Sequence, residues 1–61
     1  MPTVEFVRRE IVRIRAQVHR QRREIMKLEH AGISTASAEA LLRRMLKKID
    51  ELCAERDRLK T

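Results

Sequence analysis

Fifteen lysines and arginines stand against nine aspartates and glutamates, a formal net charge of +6. Their placement is the first feature that could do chemistry. Arg20, Arg22, Arg23 and Lys27 come shortly before the middle of the 61-residue chain, and Arg43, Arg44, Lys47 and Lys48 shortly after it. A chain folded back between the two groups gathers eight cations at one end, against only Glu24, Glu29 and Glu39. Arg20, Arg23, Lys27, Arg43, Arg44, Lys47 and Lys48 are therefore the candidate anion-binding residues. Such a surface attracts phosphates without regard to sequence and weakens as salt rises. The other half is more balanced, because Asp50, Glu51, Glu55 and Asp57 face Arg8, Arg9, Arg13 and Arg15. A second reading makes some cations structural: Arg8, Arg15 and Arg22 recur every seven residues and could pair with acids across a helical bundle to set its register. Phe6 is the sole aromatic, so stacking on nucleic-acid bases is not expected.

The remaining reactive residue types form no catalytic set. His19 and His30 are eleven residues apart, ~16 Å along a helix, too far to share one metal ion. Cys53 is the only cysteine; it has no second thiol or neighbouring histidine and reads as a small buried hydrophobe. Ser34 and Ser37 stand where a helix start would use them as caps. A single glycine allows no phosphate-cradling loop, and no HExxH occurs. The expectation is a non-enzymatic protein with no metal or other cofactor.

The elements that position these residues follow from spacing. Val4, Val7, Ile11, Ile14, Val18, Gln21, Ile25 and Leu28 recur in steps of four and three. In heptad letters, Val4, Ile11, Val18 and Ile25 occupy position a, and Val7, Ile14, Gln21 and Leu28 position d. Four uninterrupted heptads predict a coiled-coil helix over about 3–31, with Thr3 as N-cap, Pro2 just ahead of it and Glu5 at the positive end of the helix dipole. Gly32, the only glycine, predicts the stop, since glycine adopts the left-handed conformation that ends helices. The turn is placed at about 31–34, with Ser34 or Thr35 as the next N-cap and Ser34 preferred. A second helix over about 35–60 repeats the seam as Ala38, Leu42, Met45, Ile49, Leu52, Arg56 and Leu59, with Leu41, Leu46 and Cys53 beside it and Lys60 and Thr61 closing the chain. Its stripe is wider than a two-position seam, as suits a helix touching more than one neighbour. Antiparallel layering sets Val4 by Leu59, Ile11 by Leu52, Ile14 by Ile49, Val18 by Met45, Gln21 by Leu42 and Ile25 by Ala38. The polar seam residues Gln21 and Arg56 read as register-fixing devices, with Arg56 extending its charge to water.

The expected fold class is thus all-α: residues 1–61 as a single antiparallel two-helix hairpin. Charged residues at 39% and aromatics at 2% are unlike an ordinary small core, while 43% apolar residues argue against disorder. Chains of this size bury only about 60% of their unfolded surface, and a lone hairpin leaves its seam half exposed. A homodimer forming a four-helix bundle is therefore expected. Length, mid-chain turn and expected dimer together resemble the Rop family of small plasmid RNA-binding proteins. That resemblance is one of architecture and implies a bundle face that binds RNA. Two functions follow: an oligomerisation or adaptor module that meets itself or a partner helix, and a basic bundle that binds RNA or DNA phosphates. No apolar run approaches the ~20 residues of a membrane span, and the first helix's stripe is too narrow and regular for a membrane-surface helix. Glu5, Arg8, Arg9 and Glu10 interrupt any signal-like apolar stretch, and the expected location is the cytoplasm.

Overall fold

The computed structural model describes residues 3–60; Pro2 and Thr61, assigned above to the two chain ends, lie outside them. Two helices follow in order, α1 Val4–His30 and α2 Ala36–Lys60. They pack against each other as an antiparallel hairpin measuring 47 × 15 × 15 Å.

Each helix end has a local cause. Thr3 is the N-cap of α1: its backbone is extended, and its Oγ1 accepts from the Phe6 amide at 3.1 Å. At the other end Ala31 is the C-cap and Gly32 has φ +69°. The Ile33 amide donates to Leu28 O at 2.9 Å and the Gly32 amide to Glu29 O at 3.1 Å. These two bonds make a Schellman motif, which satisfies carbonyls that a helix end otherwise leaves open. One capping assignment is corrected. Ser34 is not the N-cap of α2; Thr35 holds that place, its carbonyl accepting from the Glu39 amide at 2.8 Å. Gly32 and Ile33 are used to close α1, so Ser34 still belongs to the connection. Its hydroxyl accepts from the Ala36 amide at 3.4 Å, a local turn typical of serine.

The core lies almost wholly on α1. Val7, Ile11, Ile14, Val18 and Ile25 are buried, and Val4, Gln21 and Leu28 are half-buried, so every expected seam position of α1 faces inward. No residue of α2 is buried. Ala38, Leu42, Met45, Ile49, Leu52 and Arg56 are half-buried, Leu46 and Cys53 beside them equally so, and Leu41 and Leu59 are exposed. Leu59, 37% exposed, therefore lies at the margin of its seam assignment, in the last turn of α2. The physical difference between the helices is stripe width. The α1 stripe is two positions wide, and one neighbour covers it; the α2 stripe is wider, and one neighbour covers only part of it.

Candidate anion-binding surface and interhelical groove

All seven candidate anion-binding residues are exposed, but they are not gathered into one concavity. Arg20, Arg23 and Lys27 succeed one another along α1 and line a shallow depression with Glu24. Arg23 and Lys27 also border a second depression with Met26, His30 and Ala31. Arg43, Arg44, Lys47 and Lys48 line neither. Their successive positions on α2 point them around the helix, so they spread charge over the turn end without converging on a point.

Ion pairs distinguish the two ends of the hairpin. Arg9 lies 3.9 Å from Glu5, Arg13 2.7 Å from Glu10 and Arg56 3.2 Å from Asp57, and Arg58 pairs with Glu55. All four pairs sit in the half away from the turn, and all join residues of one helix. Among the described residues, none of the seven turn-end cations has an ion-pair partner. The Arg13–Glu10 contact is bidentate, with Arg13 Nε donating to Oε2 at 3.2 Å and Nη2 to Oε1 at 2.7 Å, the geometry in which guanidinium and carboxylate bind best. The hydrogen bond from Arg13 holds the Glu10 carboxyl below the usual carboxylate range; partial desolvation opposes it, and the charges of Arg13 and of Lys48 on α2 reinforce it. The same bond raises Arg13 above its already high value.

A third groove is the only one of the three lined by both helices. Arg8, Ile11, Val12 and Arg15 of α1 meet Arg56 and Lys60 of α2 around it. Sequence reasoning placed Arg8 and Arg15 opposite acids and so missed this cationic groove. The signal was present: in an antiparallel pair, positions e of both helices flank the same side of the seam, and Arg8, Arg15 and Lys60 all occupy e.

The polar seam residues are both engaged. Gln21 Nε2 donates to Ala38 O at 2.9 Å, one turn nearer the connection than Leu42, beside which layering placed it. The long amide reaches along the seam and ties α1 to the α2 backbone. Arg56 Nε donates to Asp57 Oδ1 at 3.2 Å. His30 Nδ1 donates to Met26 O at 2.8 Å at the end of α1. Cys53 is a free, half-buried thiol. Among the described residues no group of three His, Cys, Asp or Glu is placed to hold a metal ion, and no helix is long and apolar enough to cross a membrane. Comparison with protein-family models, with curated proteins and with solved structures gives no match.

Proposed function

We propose that this chain is a small assembly or adaptor module that acts by protein–protein contact rather than catalysis, and that two hairpins join into a four-helix bundle. The observation that carries the reading is the uncovered side of α2. Leu42, Met45, Leu46, Ile49, Leu52 and Cys53 form a continuous apolar stripe that one partner helix leaves half exposed. A second pair of helices covers such a stripe by knobs-into-holes packing, and each fully buried aliphatic side chain then contributes about 1.5–3 kcal/mol. The cytoplasm suits the free Cys53 thiol, since disulfides are rare there.

A second reading has its own support, and it makes the hairpin a Rop-like binder of RNA or DNA phosphates. The turn end holds Arg20, Arg23, Lys27, Arg43, Arg44, Lys47 and Lys48 with no ion pair among the described residues, whereas at the other end Glu5, Glu10, Glu55 and Asp57 each pair with an arginine of their own helix. Unpaired cations keep their charge available to phosphate groups.

Size-exclusion chromatography with light scattering and a 260 nm trace, at low and high salt, separates the two. The assembly reading predicts a salt-tolerant dimer with clean protein absorbance. The phosphate reading predicts copurified nucleic acid that salt removes. Reversing the charges of Arg43, Arg44, Lys47 and Lys48 then abolishes nucleic-acid binding and leaves the dimer intact.

A further inference from the structure

The interhelical groove and the uncovered side of α2 share one face of the hairpin. Heptad letters put Arg8 and Arg15 of α1 at e with Val12 beside them at b, and Leu46 and Cys53 of α2 at e with Asp50 and Asp57 beside them at b. The groove places Arg8, Val12 and Arg15 with Lys60, the last e residue of α2, so the e sides coincide. This face therefore carries the cations Arg8 and Arg15 along α1 and the carboxylates Asp50 and Asp57 along α2, with apolar side chains between and the cations Arg56 and Lys60 at the open end of α2. Glu5, Glu10 and Glu55 are held by arginines of their own helices, and Arg8 and Arg15 have no ion-pair partner among the described residues.

Two copies meeting through one face are related by a two-fold axis, and each patch meets itself. Two such axes keep the helices aligned. If the axis is perpendicular to the helices, α1 lies over the partner's α1, and the row Arg8, Arg15, Arg22 meets an identical row of arginines. If the axis is parallel to the helices, α1 lies over the partner's α2 at unchanged height. Counted from His30 down α1 and from Ala36 along α2, Arg8 and Asp57 lie within one residue of the same distance from the turn, as do Arg15 and Asp50. Val12 and Cys53 match in the same way.

We propose that a second copy of this chain covers this face through the parallel axis, with both turns at the same end. Arg8 pairs with Asp57 of the partner subunit, and Arg15 pairs with Asp50 of the partner subunit. Val12, exposed in the single hairpin, packs near Cys53 of the partner subunit. The proposal rests on the dimer reading above and adds the face, the symmetry and the charge pairs. Asp57 already accepts from Arg56, but a carboxylate has acceptor sites for both. At the turn end the same operation sets Arg22 level with Arg43 of the partner subunit, so attraction is confined to the open half. The two basic ends then merge into one continuous surface.

Two measurements test this. Sedimentation equilibrium is run on Arg8→Asp/Arg15→Asp, on Asp50→Arg/Asp57→Arg, and on their equimolar mixture. Each variant alone puts like charges face to face and weakens dimerisation at least about tenfold; the mixture restores it. All four residues are exposed, so the hairpin fold is not at stake. Unchanged dimerisation of both variants overturns the charge pairing. Spin labels on Ser37→Cys in a Cys53→Ser background then report orientation. Same-end turns give a distance far below the 47 Å length of the hairpin, and a distance near that length overturns the parallel axis. A chain that stays monomeric at every concentration refutes the dimer itself, a result distinct from a dimer of the wrong symmetry.

Discussion

The two helices have almost the same length, 27 and 25 residues, and opposite roles. α1 is finished along its seam: Val7, Ile11, Ile14, Val18 and Ile25 are buried by one neighbour, and its flanks are mostly charged. α2 is unfinished: it serves α1 with one side of its stripe and leaves the other side half exposed. The lesson is that heptad spacing identifies which residues avoid water, while the width of the stripe tells how many neighbours the helix needs. A two-position stripe is satisfied by one neighbour, and the wider α2 stripe calls for another.

Mutations that break this comparison rank by how deeply they reach into it. Ile11→Ala on α1 removes a fully covered side chain and is expected to cost about 2–5 kcal/mol of stability. Ile49→Ala, at the equivalent a position of α2, should weaken dimerisation as well as the fold. Equilibrium urea unfolding at two protein concentrations distinguishes them: the Ile49→Ala deficit should depend more strongly on concentration. Equal concentration dependence would erase the difference between the helices. Gly32→Val comes next. A Cβ at Gly32 meets nothing within 4 Å, but φ is +69°, so the cost is conformational. A left-handed L-residue costs roughly 1–2 kcal/mol, more when β-branched. A lower melting temperature is expected, or a shift toward one continuous helix and a swapped assembly seen by light scattering.

Smaller effects sharpen the account at single contacts. Thr3→Ala removes the hydroxyl that caps α1 and should cost about 1 kcal/mol by thermal unfolding. Gln21→Leu exchanges one interhelical hydrogen bond for apolar burial. It should raise the melting temperature and broaden the distribution of oligomers, because a polar seam residue fixes register at some cost in stability; a lower melting temperature would argue against that role. The smallest effect belongs to Glu10. Its folded pKa lies below the ordinary value, so its contribution is present above the unfolded pKa and lost as pH falls through the folded one. Solvent screens the pair, and Glu10→Gln should therefore lose only a small part of the acid-dependent drop in melting temperature.

Much of the hairpin was legible in the sequence because its determinants are local. The Thr3 cap, the Gly32 stop and the α1 seam each follow from a residue's own backbone preference or from fixed spacing. Misplacing the second cap by one residue reflects a competition that spacing does not reveal: closing α1 through Gly32 and Ile33 delays the start of α2. The electrostatic layout was less legible. A count of charges in the open half looks balanced, yet Arg9, Arg13 and Arg58 take up their acids within one helix, and Arg8 and Arg15 are left beside Lys60. Which cation takes which carboxylate depends on side-chain reach in three dimensions, and composition is silent about it. For the same reason the seven turn-end cations, adjacent in the folded chain, do not converge on one pocket.

The central claim is that α2 is completed by a second copy. Sedimentation equilibrium of the unmodified chain at micromolar concentration in moderate salt tests it most directly. The account predicts a mass twice the 7.3 kDa of one chain. A single species at 7.3 kDa that persists as concentration rises would contradict it.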